Sequence, residues 1–412
     1  MALGGSFGRP PPRFRLACHV RTFSPIGARR FGDAGTLRLR AARVTGGDVP
    51  AVETAPISVC VGVAVWKRAA VAQLLTVGDV APIFVNGAAA AVAAAKTREG
   101  AIAVWPSRAP KGLDDLARAA GIPVVRIEDG FIRSAGLGAE CHPPASIVVD
   151  RRGMYFDPGR PSDLEHILAH TVFDDALTAR ATRLIAMITA LGVTKYNLNA
   201  SAGADLPSFP RGARVVLVVG QVEDDLSVTL GGAGVAGNLD LLRRARALEP
   251  DAIIVFRPHP DVDGGHRKGA LRDETVLRHA DHIARGGSLD ALLGVVSAVH
   301  VLTSLTGFEA LLRGREVIVH GQPFYAGWGL TRDLAPPPRR GRVLSVAQLA
   351  AGALILYPLY IDAETGQACE AERLVRQLAA RTAPTARILP AARRLQGRIR
   401  RIAGDARAAA RA

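Results

Sequence analysis

The sequence has few cysteines, no long apolar run and no excess of basic residues in its central part. Its four cysteines, Cys18, Cys60, Cys141 and Cys369, lie far apart, with no CxxC pair and no zinc-type spacing. This argues against a disulfide scaffold and suits a reducing cytoplasm. Charged or turn residues break each apolar stretch before it reaches about 18 residues, so we expect no membrane-spanning helix.

The formal net charge of +15 is concentrated at the two ends of the chain. Residues 1–57 carry a net charge of +6 and residues 381–412 one of +8, whereas residues 58–380 hold 34 basic and 33 acidic side chains. The central part therefore has no basic stripe, and we expect no nucleic-acid partner. The basic ends are typical either of disorder or of contact with anionic phospholipid, to which each Arg near the surface contributes about 1 kcal/mol.

From residue 57 onward, short β-branched runs alternate with Ala- and Leu-rich helical stretches, which is typical of parallel sheets covered by helices. The predicted strands are Ile57–Val63, Ile83–Asn86, Ile102–Trp105, Val124–Ile127, Ile147–Val149, Val215–Val219, Ile253–Phe256, Val299–Leu302 and Val317–His320. The Gly- and Pro-containing segment Asn199–Gly212 is the predicted linker. We predict an α/β protein with two Rossmann-like domains, 57–205 and 206–380, between disordered basic ends at 1–56 and 381–412.

Ligands of such sheets bind beyond the carboxyl ends of the strands, and a first polar cluster lies at such an end. Glu128 and Asp129 follow a predicted strand, with Arg126, Arg133 and Ser134 beside them. Paired carboxylates near arginines suit acid/base chemistry on an anionic substrate. The alternative is a helix cap at Asp129, with the arginines holding a loop by ion pairs.

A second cluster follows the strand Val215–Val219 and contains Gln221, Glu223, Asp224 and Asp225. Adjacent carboxylates repel one another, so at least one of them should have a raised pKa unless cations or water relieve the repulsion. That is typical of a functional site, although an exposed turn can have the same composition.

Two further strand ends carry groups suited to binding an anion. Arg257, His259 and Pro260 follow the strand Ile253–Phe256, where flanking prolines stiffen the backbone around a histidine that binds phosphate, acts as an acid or is structural. A hydroxyl-rich helix start follows the strand Val299–Leu302 and indicates either an anion site or a simple cap. Its residues are Ser304, Thr306, Gly307 and Glu309.

Tyr325 and Trp328 lie on a Gly-rich loop after the strand Val317–His320. Exposed aromatic rings on such a loop suit stacking on a sugar or a base, and burial between the domains is the alternative.

Two short motifs give weaker indications of function than the strand-end clusters do. Gly232, Gly234 and Gly237 match GxGxxG, but about ten residues separate them from the preceding strand, whereas the dinucleotide fingerprint is a single tight turn. Asp261 and Asp263 resemble a metal-binding DxD motif, but they follow a rigid His-Pro turn. We therefore expect no divalent metal there.

Six strings in one order carry a family resemblance: EDGFIRSAGLG, YFDPGRPSDLE, GQVEDDLSV, RPHPDV, TSLTGFEALLRG and QPFYAGWGLTRD. The series resembles the capsule polysaccharide biosynthesis (KpsC/LipB) family, and in particular the second of its two tandem transferase modules. The resemblance implies a GT-B fold, with two Rossmann-like domains around a cleft. It also implies retaining transfer of β-Kdo from CMP-Kdo without a metal or other cofactor.

The resemblance implies roles for individual residues. Asp225 would be the nucleophile, Glu128 the acid/base, and His259 a catalytic ligand of the CMP phosphate. The implied donor-binding residues are Gln221, Arg257, His259, Pro260, Lys268, Ser304, Thr306, Gly307 and Glu309. The implied acceptor-side residues are Arg126, Asp129, Arg133, Ser134, Tyr325 and Trp328.

The implied acceptor is a Kdo-bearing phospholipid or glycolipid, and the implied location is cytoplasmic, peripheral on the inner membrane. A single module also suggests a partner transferase or the capsule export machinery as a partner. Two other functions stay open on the sequence: a Rossmann-type NAD(P)-dependent oxidoreductase based on the glycine motif, and a non-enzymatic capsule assembly or export protein that uses its basic ends.

Overall fold

Buried Val and Ile runs form the strands of two sheets, as in Val215–Val219, where all five side chains are buried. The computed structural model describes residues 55–134, 141–195, 197, 208–362 and 364–380. The predicted basic ends and most of the predicted linker lie outside the described residues. Within the described part, no helix is both long and apolar enough to cross a membrane.

The first sheet has six strands, which are β1 (Ile57–Val61), β2 (Ile83–Val85), β3 (Ala101–Val104), β4 (Val124–Asp129), β5 (Ser146–Asp150) and β12 (Pro358–Tyr360). Their spatial order is β12-β5-β4-β3-β1-β2. Strands β1 to β4 pair in parallel, whereas β5 is antiparallel to both β4 and β12.

The second sheet also has six strands, which are β6 (Val215–Val219), β7 (Ile253–Arg257), β8 (His282–Ile283), β9 (Ala298–Val301), β10 (Glu316–Val319) and β11 (Arg332–Asp333). Their order is β11-β10-β9-β6-β7-β8, and every pairing is parallel. All strand carboxyl ends of this sheet therefore lie along one edge.

Helices cover the two sheets. In chain order they are α1 (Arg68–Leu75), α2 (Ala88–Thr97), α3 (Leu113–Ala119), α4 (Asp163–His170), α5 (Asp175–Ala190), α6 (Leu226–Gly231), α7 (Asn238–Leu248), α8 (Pro260–Asp263), α9 (Asp273–Val276), α10 (Leu289–Val295), α11 (Leu305–Leu311), α12 (Val346–Ala350) and α13 (Ala371–Ala380). Side-chain caps fix several starts: Ser162 accepts a hydrogen bond from the Glu165 N–H, and Asp174 accepts one from the Leu177 N–H. A π-helical segment, Ala351–Leu356, directly follows α12.

The predicted α/β class, with two sheets of mainly parallel strands, is confirmed, and all nine predicted strands are present. The short strands β8, β11 and β12 were not predicted, because two or three residues show no periodicity. The antiparallel pairing of β5 was also not predicted. No helix connects β4 to β5 in the described residues, and a parallel pair needs a crossover connection that is usually helical.

The end of the chain returns to the first sheet. Strand β12 pairs with β5, and Ile361 N–H donates to the carbonyl of Ala145 at 2.9 Å. Helix α13 packs against α5 in the same region. The predicted second domain, 206–380, therefore contains a last segment that hydrogen-bonds to the first sheet.

Aromatic side chains from the two halves of the chain meet between the sheets. Phe131 follows β4 and stacks on Phe324, which follows β10, with a distance of 4.5 Å between ring centroids. Tyr155 contacts the Phe131 ring edge-on at 4.8 Å. Phe131 and Phe324 are 3% and 5% exposed, so this contact belongs to the core. It holds the strand ends of the two sheets at a fixed separation.

Buried arginines make a second connection between distant segments. The Arg340 guanidinium donates to the Glu165 carboxylate at 3.0 Å and to the backbone carbonyls of Pro323 and Ala326. Arg339 pairs with the same carboxylate at 2.9 Å. Helix α4 is thereby tied to the loop that carries Phe324.

Replacing Arg340 with Met should lower the free energy of unfolding by about 3 kcal/mol, because buried acceptors lose their charged donor. The measurement is urea denaturation of the two proteins. Arg118→Met is the matched control, since Arg118 pairs with Asp115 at the surface with 76% of its side chain exposed. The control should change stability by less than about 0.5 kcal/mol. Equal effects of the two substitutions would contradict a structural role for Arg340.

Candidate active site

A cleft of about 770 Å³ lies between the two sheets, at the carboxyl ends of their strands. Its lining includes Glu128 and Asp129 from the first sheet and Asp225, His259 and other residues from the second. The cleft therefore brings together the strand-end clusters that are far apart in the sequence. Parallel sheets bind ligands in this position.

Asp129 is surrounded by cations on the first wall of the cleft. The Lys67 ammonium lies 3.0 Å from both carboxylate oxygens, and the Arg133 Nε donates to Oδ2 at 2.7 Å. Burial pushes the pKa of Asp129 upward, but Arg133, Lys67 and Lys195 outweigh that effect and hold the pKa below its ordinary value. Asp129 is therefore ionised and serves as the anion that orders this wall.

The neighbouring Glu128 has the opposite electrostatic environment. Burial and then the negative charge of Asp129 raise the pKa of Glu128 to about 7. Its Oε1 accepts a hydrogen bond from the Asp129 N–H at 3.0 Å, which orients the carboxyl group. A carboxyl group with this pKa can both accept and release a proton near neutral pH, as acid/base catalysis requires.

Asp225 lies on the second wall, where it caps the start of α6. Its Oδ1 accepts hydrogen bonds from the backbone N–H of Ser227 at 3.0 Å and from the Ser227 hydroxyl at 2.8 Å. These bonds fix the orientation of the carboxyl group within the cleft. Gln221 lines the same wall, and its side-chain amide exchanges hydrogen bonds with Thr303, which joins the ends of β6 and β9.

His259 has a defined tautomer. Its Nδ1 accepts a hydrogen bond from the Asp261 N–H at 3.1 Å, so Nδ1 carries no proton and Nε2 is the donor of the neutral ring. Burial lowers the pKa of His259 below its ordinary value, which keeps the ring neutral at pH 7. The imidazole can therefore donate a hydrogen bond but supplies no positive charge.

Other predicted donor-binding residues also line the cleft. Arg257, Pro260, Ser304, Thr306 and Glu309 all do so. The guanidinium of Arg257 donates to two backbone carbonyls, those of Gly286 at 2.9 Å and Gly287 at 3.0 Å. The Ser304 hydroxyl accepts from the Thr306 N–H and caps α11, so capping and cleft lining occur together at this helix start.

Glu309 is buried with 7% of its surface exposed, and burial raises its pKa. Its Oε1 accepts a hydrogen bond from the backbone N–H of Lys195 at 2.8 Å. Glu309 therefore fastens the segment after α5 to helix α11.

Several predicted site residues do not line the cleft. Arg126 pairs with Asp114 at 3.0 Å instead. The side chains of Arg133 and Ser134 are buried and hydrogen-bonded to each other behind Asp129, so they support the site from outside the cleft. Lys268 is exposed and is not part of the lining, whereas the adjacent Arg267 is.

The predicted aromatic loop is also buried in the core, as the alternative interpretation expected. Tyr325 is fully buried and donates its hydroxyl hydrogen to the carbonyl of Ser304. Trp328 is 1% exposed, and its Nε1 donates to the carbonyl of Phe324 at 2.9 Å. Gly307 lies under Tyr325, since an added Cβ would collide with the tyrosine hydroxyl. These three residues shape the wall without lining the cleft.

The cleft lining also includes residues that were not among the predicted site residues: Trp66, Lys67, Trp105, Arg108, Tyr155, Lys195 and Arg267. The Lys67 ammonium lies 3.6 Å from the centre of the Trp105 ring, in a cation–π contact. The polar residues after β1 and α5 lie outside the strand-end motifs on which the sequence interpretation depended. Only the folded chain brings them to Glu128.

The glycine motif has a structural explanation. An added Cβ at Gly237 would lie 2.6 Å from the Glu223 carboxylate, and the same carboxylate accepts the Asn238 N–H at 2.9 Å. A protein carboxylate therefore occupies the start of α7, where a dinucleotide pyrophosphate would need to sit. This arrangement argues against the oxidoreductase alternative.

The described residues contain no group of three or more His, Cys, Asp and Glu side chains that could hold a metal ion. Asp263 of the DxD-like motif pairs with Arg285 at 3.0 Å.

Comparison with known proteins identifies the family. The capsule polysaccharide biosynthesis protein family matches residues 100–360. The chain belongs to this family. It is 42% identical over 313 residues to the capsule polysaccharide modification protein LipA of Neisseria meningitidis serogroup B, covering 76% of this chain and 44% of LipA. It is 41% identical over 334 residues to the lipopolysaccharide-processing protein LpsZ of Rhizobium meliloti, covering 79% of this chain and 75% of LpsZ.

Two solved structures from Thermosulfurimonas dismutans have the same fold. The KpsC β-Kdo 2,4 transferase is 31% identical with a TM-score of 0.67, covering 80% of this chain and 99% of that one. The KpsC β-Kdo 2,7 transferase is 32% identical with a TM-score of 0.62, covering 78% and 98%. The family resemblance and the GT-B-like fold are thus confirmed. The chain spans less than half the length of LipA, and the two transferases match it almost equally.

The charge arrangement predicts how Glu128 affects stability. Its folded pKa of about 7 exceeds the ordinary value of 4.5, so the folded state binds the proton more tightly and stability falls as pH rises between these values. The free energy of unfolding of Glu128→Gln, relative to that of the wild type, should therefore rise by at least ~1 kcal/mol as the pH increases from 4.5 to 8. Urea denaturation at both pH values measures this, with the exposed Glu274→Gln as control. A constant difference between wild type and Glu128→Gln would contradict the raised pKa.

Proposed function

We propose that this chain is a retaining β-Kdo glycosyltransferase that uses CMP-Kdo to extend the Kdo linker of a capsular polysaccharide glycolipid. The observation that carries the proposal is the pairing, in one cleft, of Glu128 and Asp225 on opposite walls. The similarity to two solved Kdo transferases supports the choice of donor and product. Retention by double displacement needs two carboxyl groups with different tasks.

In the first step, a carboxylate oxygen of Asp225 attacks the anomeric carbon of the donor sugar. The bond from that carbon to the phosphate oxygen breaks, and CMP leaves with the electron pair. Ser227 holds Oδ1, so Oδ2 is the oxygen that forms the new bond. The product of this step is a glycosyl ester on Asp225, with inverted configuration.

In the second step, Glu128 removes the proton from an acceptor hydroxyl. That oxygen attacks the anomeric carbon and displaces Asp225, which restores the original configuration. The pKa of about 7 suits this role, because a large fraction of Glu128 is ionised at neutral pH while its basicity exceeds that of an ordinary glutamate.

The departing phosphate would be met by the Nε2–H of His259 and by the hydroxyls of Ser304 and Thr306. A phosphate monoester carries less charge than a diphosphate leaving group, so protein donors can stabilise it without a metal ion. Gln221, Arg257, Pro260 and Glu309 would shape the nucleotide pocket on the second wall. We therefore propose that the enzyme needs no metal or other cofactor.

The proposed acceptor is a Kdo-bearing phospholipid or glycolipid, which would approach the first wall beside Glu128. An acceptor of this kind places the enzyme at the cytoplasmic face of the inner membrane, where the basic ends of the chain would favour anionic lipid. A second transferase or the capsule export machinery is a further proposed partner.

Changing the carboxyl groups of Asp225 and Glu128 to amides should block different steps of the reaction. Asp225→Asn should lose at least ~10³ in kcat, because the amide cannot act as nucleophile, while CMP still binds. Glu128→Gln should lose transfer to the acceptor but accumulate the sugar ester on Asp225, visible by intact mass. Asp224→Asn is the matched control, since Asp224 pairs with Arg267 at the same turn and should retain activity within about tenfold. Turnover near wild type in Asp225→Asn would remove Asp225 from the reaction.

Transfer of Kdo should proceed unchanged in the presence of EDTA, because the groups proposed to meet the phosphate are all protein donors. Initial rates with CMP-Kdo and a soluble Kdo acceptor measure this directly. Loss of activity in EDTA and recovery with Mn²⁺ would instead make Asp261 and Asp263 candidate ligands.

A further inference from the structure

Most of the cations that line the cleft lie outside the six family motifs. Within the described residues, five Lys and Arg side chains line it: Lys67, Arg108, Lys195, Arg257 and Arg267. A nucleotide donor brings a phosphate into this space under the proposed function, and its negative charge increases when CMP leaves. The question is which cation offsets that charge.

Three of these cations contact protein groups on their own side of the cleft. Lys67 pairs with both oxygens of Asp129, and Arg267 pairs with Asp224 at 3.1 Å. The Arg257 guanidinium is held by two backbone carbonyls, and burial lowers its pKa. His259 is neutral, so the ring proposed to contact the phosphate contributes a hydrogen bond without a charge.

The backbone of Lys195 is fastened to both walls of the cleft. Its N–H donates to Glu309 at 2.8 Å on the second wall. Its carbonyl accepts from the N–H groups of Arg133 at 3.2 Å and Ser134 at 3.3 Å behind the first wall. Two residues earlier, the carbonyl of Val193 accepts a hydrogen bond from the Arg313 guanidinium at 3.1 Å. The side chain of Lys195 therefore starts from a fixed point where the two halves meet.

The charge of Lys195 acts on groups of both walls. On the first wall it lowers the pKa of Glu128 and of Asp129, and on the second wall it lowers the pKa of His259 and of Glu309. Lys195 lines the same cleft as Glu128 of the first wall and His259 and Ser304 of the second.

We propose that Lys195 binds the phosphate of the nucleotide donor and supplies the positive charge that stabilises the leaving group. The inference rests on the proposed function, because it takes a cytidine monophosphate donor as given. Lys195 belongs to the segment after α5, outside the strand ends that carry Asp225, His259 and Ser304. The phosphate is thus held by groups from both walls, which links donor binding to the fixed arrangement of the two halves.

The test compares CMP with cytidine, which lacks the phosphate, on wild type, Lys195→Met and Lys195→Arg, by isothermal titration or ligand-observed NMR. A charge-assisted contact predicts that Lys195→Met weakens CMP about 10- to 100-fold and leaves cytidine binding unchanged. Lys195→Arg should keep CMP binding within about threefold. Lys111→Met is the control for removing an exposed positive charge elsewhere and should bind both ligands like wild type.

The outcomes separate the two proposals. If wild type binds CMP and Lys195→Met binds it equally well, the role of Lys195 is wrong while the proposed function stands. Equal weakening of CMP and cytidine would also overturn the inference, since a purely structural residue affects both ligands. If wild type binds neither ligand and does not transfer Kdo, the proposed function fails, and the phosphate role of Lys195 fails with it.

Discussion

The contact of Phe131 with Phe324 is the interaction on which the site depends. These buried rings come from loops after β4 and β10 and stack at 4.5 Å between the two sheets. Because buried aromatic surface is costly to expose to water, this contact resists separation of the sheets. The strand ends that carry Glu128 and Asp225 consequently face each other across one cleft.

Charge within the cleft is distributed unequally, and that inequality has a simple origin. Asp129 has Lys67 and Arg133 within 3.0 Å and is ionised, whereas Glu128 is buried beside that negative charge. Two adjacent carboxyl groups thus have opposite pKa shifts. A site that must hold one permanent anion and one group that exchanges protons near pH 7 needs this separation.

Capping and lining of the cleft occur together on the second wall. Asp225 caps α6, Ser304 caps α11, and His259 accepts the N–H at the start of α8. Each cap satisfies a backbone group and also fixes the orientation of a side chain in the cleft. The sequence interpretation treated capping and catalysis as alternatives, but a side chain held by its own helix is a better positioned ligand than a mobile one.

The sequence by itself determined the α/β class, nine of the twelve described strands and the strand-end positions of Glu128, Asp225 and His259, because periodicity and turn chemistry are local properties. It could not distinguish cleft residues from core residues on a Gly-rich loop, so Tyr325 and Trp328 were assigned to the acceptor side of the cleft but are buried. Only the tertiary structure revealed Lys67 and Lys195 beside Glu128. Their positions, like the pairing of β12 with β5, depend on contacts between residues far apart in the chain, which no local pattern encodes.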